Sequence, residues 1–325
     1  MRWRDQRESG NVEDRRGQGG GFGFPFPGGG MRFPSGGSRR GGGGIGLIGL
    51  LIILGLILFF GVDPKVILGP PGGGGPAGFP DIQLPQPRNE PTNFPAPGGD
   101  APEMQRPASS SEDDLGRFVS VVLANTEDVW DDIFARYGIQ YSDPKLVLFS
   151  GAVRSACGMG MAQMGPFYCP ADEKVYIDLR FYEELKHRFR APGDFAQAYV
   201  IAHEIGHHVQ KQLGIADQVE AAKQRMGQSS ANALQVRMEL QADCFAGVWA
   251  HMADKKTNVI EPGDIEEALG AASAIGDDRI QKQTTGYVVP DSFTHGSSDQ
   301  RVRWFKRGFE SGRLEYCDSF NADQL

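Results

Sequence analysis

The four cysteines of this chain include no Cys-x-x-Cys pair, which argues against both a zinc knuckle and a thioredoxin-like redox motif. From about residue 110 onward the chain also lacks a basic stripe with interleaved aromatic residues, and the formal net charge of the whole chain is −8. We therefore expect no nucleic-acid partner. Glycine and proline are abundant, but most of the 45 glycines and 21 prolines lie in the first third of the chain. The sequence thus divides into an unusual first third and an ordinary remainder.

The composition predicts four segments, one of which is the apolar segment at residues 45–62. Residues 1–44 contain Gly-rich runs such as GQGGGFGFPFPGGG, which cannot bury enough apolar surface to offset the entropy lost on ordering, so we expect a disordered cytoplasmic arm. Residues 63–109 have the Pro/Gly-rich composition of a flexible linker. Residues 110–325 are long enough for one hydrophobic core and form the predicted folded domain.

Residues 45–62, IGLIGLLIILGLILFFGV, lack any charged or polar side chain. Eighteen residues are just long enough for an α-helix to cross the hydrocarbon core, so a transmembrane helix is predicted. The alternatives are a buried core helix and the apolar part of a cleaved signal peptide, although no small-x-small cleavage site follows the stretch.

The charged residues beside this stretch predict its orientation. Arg32, Arg39 and Arg40 precede it, whereas Lys65 is the only nearby basic residue after it. Because basic residues stay on the cytoplasmic side, the N-terminus should be cytoplasmic and residues 110–325 extracytoplasmic. The expected location is the inner membrane of a bacterium, with a single crossing and a periplasmic domain.

All four cysteines lie in the predicted folded domain. Outside the cytoplasm they can be oxidised. Cys157 and Cys169 bracket a short segment, so we expect a local disulfide between them. Cys244 and Cys317 would then form the second bridge, although the sequence alone permits three connectivities.

The segment DFAQAYVIAHEIGHHVQKQL predicts one helix from Asp194 to Leu213. Asp194 is a plausible N-cap, and Gly214 suits the position just after the helix. Apolar residues recur along the segment at helical spacing, which indicates that one side of the helix is buried.

This helix carries the motif His-Glu-x-x-His. His203 and His207 are four residues apart, so both rings project from one face, at the spacing that two nitrogen ligands of zinc require. Glu204 is rotated about 100° from them and can act as a general base on a water. A polar surface helix is the alternative, but the apolar flanks would leave these side chains half buried without partners. His208 points elsewhere and is expected to be solvated.

A catalytic zinc needs three protein ligands and an open position. The extended motif would place a third histidine further along the same helix, where the chain has Gln210 and Leu213. A second predicted helix, at about residues 230–252, carries Glu239 and Asp243 on one face. Glu239 can be the third ligand and Asp243 can accept the second N–H of a ligand histidine. The reversed assignment, and surface ion pairing of both carboxylates, stay open.

A third region, VVPDSFTHGSSDQRVRWF, carries His295 and Arg301 in a Gly/Ser-rich loop that leads into an apolar segment. Either side chain could stabilise the negative charge that develops when water attacks a carbonyl. His295 is equally compatible with a loop histidine that makes ordinary hydrogen bonds.

The pieces HEIGHH, MELQADCFAG and SFTHGSSDQRVRWF together resemble the neutral zinc metallopeptidase family of bacterial membrane-anchored proteins. FYCPAD, VYIDL and the opening RWRDQRESGNVEDRRG belong to the same likeness, which covers most of the chain. The order of motifs also resembles that of broader integral-membrane zinc peptidases, from which this chain departs in having one span and Gly296 where proline is usual. The resemblance implies that His203, His207 and Glu239 are the Zn²⁺ ligands and that Glu204 is the general base. It also implies that Asp243 orients a ligand histidine and that His295 and Arg301 stabilise the oxyanion.

The resemblance also implies an α+β, zincin-like fold in which the motif helix crosses the second ligand helix. Residues 113–138 should form a helix pair or one bent helix, and residues 175–179 a strand that is either a substrate-binding edge or an interior strand. The implied activity is zinc-dependent hydrolysis of peptide bonds in a peptide or protein substrate. The alternative is a membrane-tethered scaffold with structural zinc, but such a site needs no base such as Glu204.

Overall fold

The computed structural model describes residues 1–17 and 110–325. The predicted span at residues 45–62, the linker and the remainder of the arm lie outside these residues. Within the two described ranges, no helix combines the length and the apolar character needed to cross a bilayer.

The described residues form an α+β fold, as predicted. The six strands are β1 (Val12–Asp14), β2 (Lys145–Phe149), β3 (Ala152–Ser155), β4 (Gly158–Met161), β5 (Phe167–Cys169) and β6 (Lys174–Asp178). The same described residues form eight α-helices: α1 (Ser110–Arg136), α2 (Arg180–His187), α3 (Asp194–Gln212), α4 (Ile215–Lys223), α5 (Gln228–Thr257), α6 (Asp264–Ala274), α7 (Asp277–Thr284) and α8 (Ser298–Ser311).

Four strands form the main sheet in the order β1-β2-β6-β5. β1, β2 and β6 are parallel, whereas β5 is antiparallel to β6. The predicted strand at residues 175–179 is β6, which is buried between two neighbours, so its interpretation as a free edge is wrong. The edge on that side of the sheet belongs to β5. β3 and β4 form a separate antiparallel hairpin.

The first residues of the chain belong to this fold. β1 pairs with β2 from Val12 opposite Leu146 to Asp14 opposite Leu148. Trp3 is buried and packs edge-on against Phe118 of α1, with ring centroids 5.4 Å apart. The prediction of a disordered arm is therefore wrong for residues 1–17. The average composition of residues 1–44 did not reveal that the first 17 residues contain apolar side chains and a strand that pack against residues far along the chain.

Helix α1 is one continuous helix, which decides between the two expectations for this region. Asn125 and Thr126, the residues that suggest a break, are both buried. Thr126 Oγ1 donates to the carbonyl of Leu123 at 2.7 Å, and Asn125 Oδ1 accepts from Trp249 Nε1 at 3.0 Å. The two polar side chains thus have partners without interrupting the helix.

Helix α3 begins at the predicted residue but with a different cap. Gly193 is the N-cap residue, at φ 124°, and Asp194 makes no capping hydrogen bond. Glu267 of α6 supplies the acceptor instead, because its Oε2 takes the backbone N–H of Phe195 at 3.1 Å. A Cβ at Gly193 would lie 2.0 Å from the Glu267 carboxylate, so only glycine permits this approach. Gly214 follows α3 at φ 73°, as predicted.

Both predicted disulfides are present. Cys157 and Cys169 join the turn of the β3–β4 hairpin to the end of β5. Cys244 of α5 is bonded to Cys317, which ends a 3₁₀ turn after α8. The predicted cysteine pairing is confirmed, and the described residues contain no free cysteine.

Candidate metal centre

Three side chains converge where α3 meets α5. Nε2 of His203 and Nε2 of His207 lie 3.2 Å and 3.3 Å from the same oxygen, Oε2 of Glu239. Ligands bound tetrahedrally at 2.0–2.2 Å from zinc lie roughly 3.4 Å from one another, so these separations suit a common ion. His203, His207 and Glu239 also form a group whose possible ligand atoms all lie within 4.8 Å. The donor set, two imidazoles and a carboxylate, is one that zinc accepts.

The sequence brings the two helices together through a small residue inside the motif. Gly206 lies between the two histidines, and a Cβ there would be only 3.0 Å from the backbone oxygen of Ala242 and 3.1 Å from its Cα. A larger residue would push α3 away from α5. The close approach places Glu239, one turn from Ala242 on α5, against both imidazoles.

Asp243 orients His203 from behind. Its Oδ1 lies 2.8 Å from Nδ1 of His203, so the opposite ring nitrogen, Nε2, faces Glu239. Tyr199 donates its hydroxyl proton to the same oxygen at 2.5 Å. Burial lowers the pKa of His203, but the adjacent Asp243 carboxylate outweighs it and raises the pKa to about 9. Asp243 thus contacts Nδ1 of His203, which faces away from the ligand group. Glu239 contacts Nε2 of both histidines, which faces into the group.

Arg301 belongs to the same buried layer. Its Nε and Nη2 donate to the two oxygens of Asp243, both at 2.9 Å, and Nη1 donates to the carbonyl of Ile275 at 3.3 Å. Its guanidinium is held by Asp243 on the Nδ1 side of His203, and Arg301 also borders the cleft, so its role at an oxyanion stays a prediction. Burial raises the pKa of Asp243, but the Arg301 guanidinium outweighs it and keeps the pKa at about 2. Arg301 thus holds the carboxylate that contacts His203.

Glu204 differs from the other acidic residues of the centre. It is 8% exposed and lines the cleft in front of the two histidines. Among the described residues it has no hydrogen-bond or ion-pair partner, whereas Glu239 and Asp243 have several. Burial raises the pKa of Glu204. A buried, unpaired carboxylate that faces a cleft is suited to accept a proton from water.

His295 also borders the cleft and lies in a loop held by Asp277. Oδ2 of Asp277 accepts the backbone N–H groups of Thr294 and His295 at 2.6 Å and that of Gly296 at 3.1 Å. The other Asp277 oxygen lies 3.4 Å from Nδ1 of His295, whose ring borders the cleft. Gly296 has φ 92°, a conformation that proline cannot adopt and that explains the glycine here.

Residues 1–320 match a protein family described as "putative neutral zinc metallopeptidase". The chain belongs to this family. It is 48% identical over 320 residues to the uncharacterized protein YpfJ of Escherichia coli strain K12, covering 98% of this chain and 99% of that protein. It is also 42% identical over 240 residues to the uncharacterized protein Rv2575 of Mycobacterium tuberculosis strain H37Rv, covering 71% and 78%. No solved structure matches the chain. The family implies Zn²⁺ as the cofactor, and His203, His207 and Glu239 are the residues that fit it.

Sequence reasoning missed the partner of the second histidine. Gln210 is fully buried, and its Oε1 lies 2.9 Å from Nδ1 of His207. Its Nε2 donates to the carbonyl of Met238 at 2.7 Å and to Oε1 of Gln241 at 3.0 Å, both on α5. Gln210 thus orients His207 as Asp243 orients His203. Its spacing of three residues from His207 on one helix face was the available indication.

The prediction for His208 is wrong. The ring is fully buried, with Nδ1 3.0 Å from the hydroxyl of Tyr168 and Nε2 2.7 Å from the carbonyl of Ser142. Burial lowers its pKa, which favours the neutral ring. Helix α3 is buried on a second face besides its apolar one, because β5 and the loop before β2 pack on the face that carries His208. This contact fixes β5 beside the metal centre.

A cleft of about 350 Å³ opens in front of the ligand group. Glu204 and His295 are on its walls, and β5 contributes Phe167 and Tyr168. The rest of the wall is largely apolar and includes Met164, Pro166, Phe181, Phe189, Val200, Ile275 and Ile280. The cleft therefore combines one polar corner with surfaces suited to apolar side chains.

Proposed function

We propose that this protein is a zinc-dependent peptidase that hydrolyses peptide bonds in peptide or protein substrates. The observation that supports this most directly is the placement of Glu204. Its unpaired carboxylate faces the cleft beside a group of three ligand side chains, His203, His207 and Glu239. A site that held zinc only for structure would need no such base.

The proposed chemistry follows from the side chains around the cleft. Zinc, when bound, would polarise the substrate carbonyl and lower the pKa of water. Glu204 accepts a proton from the attacking water and then delivers it to the nitrogen of the leaving amine. Asp243 and Gln210 keep Nε2 of each ligand histidine directed at the site throughout. The raised pKa of Glu204 suits a group that must both accept and release a proton.

We propose that the substrate binds in extended form along β5. This strand is the edge of the main sheet that borders the cleft, and it pairs on its other side with β6. A free strand edge can hold a peptide by main-chain hydrogen bonds, while neighbouring pockets select its side chains. The apolar wall then favours substrates with bulky apolar side chains near the cleaved bond.

His295 is proposed to stabilise the oxyanion that forms on the substrate carbonyl. Substitution His295→Ala should lower kcat by roughly 10²–10³-fold, the scale for loss of one such donor, without changing zinc content. His187→Ala is the matched control, because His187 is an exposed histidine on α2. Peptide-cleavage kinetics and elemental analysis measure the two effects. Unchanged kcat would identify His295 as an ordinary loop histidine.

The proposed function is tested on the purified full-length chain by elemental analysis and by cleavage of a mixed peptide library. We expect about one zinc per chain, the number that one such ligand group holds. Cleavage should be lost on chelation and restored by added Zn²⁺. One bound zinc with no cleavage of any peptide would contradict the peptidase and favour the zinc-binding scaffold.

We further propose that the folded domain acts outside the cytoplasm, in contact with the inner membrane. The two disulfides support an oxidising compartment, since they persist poorly in a reducing cytoplasm. The uncharged stretch at residues 45–62 supports attachment to lipid.

A further inference from the structure

Residues 1–17 are bonded into the sheet of the folded domain along the whole length of β1. The N–H of Leu146 donates to the carbonyl of Asn11 at 2.9 Å, and the N–H of Arg15 donates to the carbonyl of Leu148 at 2.8 Å. β1 therefore covers the edge of β2, a strand with four consecutive buried residues. Without β1 this apolar strand would expose an unpaired edge.

The domain also contains a buried acid whose partners come from this segment. Glu127 of α1 is only 3% exposed. Arg7 donates to its Oε2 at 3.1 Å, Asn11 donates to its Oε1 at 2.9 Å, and the hydroxyl of Ser9 donates to the same Oε1. Among the described residues no other side chain hydrogen-bonds to this carboxylate. A buried carboxylate without partners is costly, so α1 requires the N-terminal segment in place.

Hydrogen-bonded strands lie about 4.8 Å apart, whereas the hydrocarbon core of a bilayer is about 30 Å thick. β1 and β2 therefore cannot lie on opposite sides of a membrane. Exchange of β1 between copies does not alter this, because the domains of all copies face the same compartment. The opposite-side arrangement predicted from Arg32, Arg39 and Arg40 is incompatible with this sheet.

We propose that residues 1–17 and residues 110–325 occupy one compartment, so that the chain between them makes no net crossing of a bilayer. The apolar stretch at residues 45–62 is long enough for one helical crossing and not for two. A single crossing at this stretch would place the two described ranges in different compartments, so the proposal argues against a single-pass anchor.

Thiol labelling in intact cells tests the shared compartment. Asp5 and Lys186 are exposed residues of the N-terminal segment and of α2, and all four native cysteines are in disulfides. Asp5→Cys and Lys186→Cys are each expressed in the full chain and treated with a membrane-impermeant maleimide after permeabilisation of the outer membrane only. Both variants should be labelled, or both protected, and lysed cells provide the control for reactivity. Labelling of one and protection of the other would overturn the proposal.

A cross-link tests whether the segment is docked in the membrane-associated protein. Nε of Arg117 lies 2.7 Å from Oε1 of Glu8, and both side chains are about half exposed. In the double variant Glu8→Cys/Arg117→Cys, a short bismaleimide should join the two positions in isolated membranes. After proteolysis between residues 18 and 109 and denaturing electrophoresis, the N-terminal fragment should stay attached to the domain, whereas either single variant should release it. Release from the double variant would overturn the proposal.

Discussion

Substitution Glu204→Gln is expected to leave the zinc content near that of the parent while peptide cleavage falls by about 10²–10⁴-fold, the contribution typical of a general base. Glutamine has nearly the size of glutamate but cannot accept the proton of water at neutral pH. Glu204 contacts neither the ligand nitrogens nor the carboxylate of Glu239 through a hydrogen bond, so the ligand group should be unaffected. Elemental analysis and cleavage kinetics on the same preparation measure the two effects.

The matched control is Glu220→Gln, the same exchange at an exposed position of α4. It should change neither zinc content nor cleavage. Parent-like activity of Glu204→Gln would show that Glu204 is not the base, and the proposed mechanism would then be wrong. Loss of zinc from this variant would instead make Glu204 a ligand.

Substitution Glu239→Ala is expected to abolish both zinc binding and cleavage. Oε2 of Glu239 is the atom that both ligand histidines approach, so alanine leaves only two ligands for the ion. Asp243→Asn should retain zinc, with affinity or activity lowered by about 10–100-fold, because it weakens the partner that orients His203 without removing a ligand. Zinc titration of the purified variants by competition with a chelating dye measures both affinities.

Because Asp243 also pairs with Arg301, its loss leaves a buried cation, and thermal unfolding of both variants must be followed in parallel. A folded Asp243→Asn protein that binds no zinc, beside a Glu239→Ala protein that binds it normally, would reverse the two assignments.

The metal centre is largely predictable from the sequence because its key spacings are local. Residues four apart on a helix share a face, which is sufficient to place His203 with His207 and Glu239 with Asp243. Which carboxylate binds and which orients is not a local property. It depends on the rotation of α5 against α3, and Gly206 with Ala242 sets that contact.

The errors concern side chains whose partners are distant in sequence. The helical pattern predicts that His208 is solvated, but the ring is buried against Tyr168 and Ser142, 40 and 66 residues away. The loop context likewise did not reveal that the guanidinium of Arg301 is held by Asp243, 58 residues earlier. In both cases the local pattern carries no information on what covers the side chain.

The sequence by itself predicted the His-Glu-x-x-His helix and the placement of Glu239 and Asp243 on one helix face, because helical periodicity depends on near neighbours. The α+β class was implied by the resemblance to a known family. Only the tertiary structure decided that β1 completes the sheet, that Glu267 caps α3 and that Glu127 is held by Arg7, Ser9 and Asn11. Each of these contacts joins residues more than 70 positions apart. Such distant hydrogen bonds, and the burial of the side chains that make them, depend on how complete helices and strands pack. A composition rich in glycine and proline does not indicate how they pack.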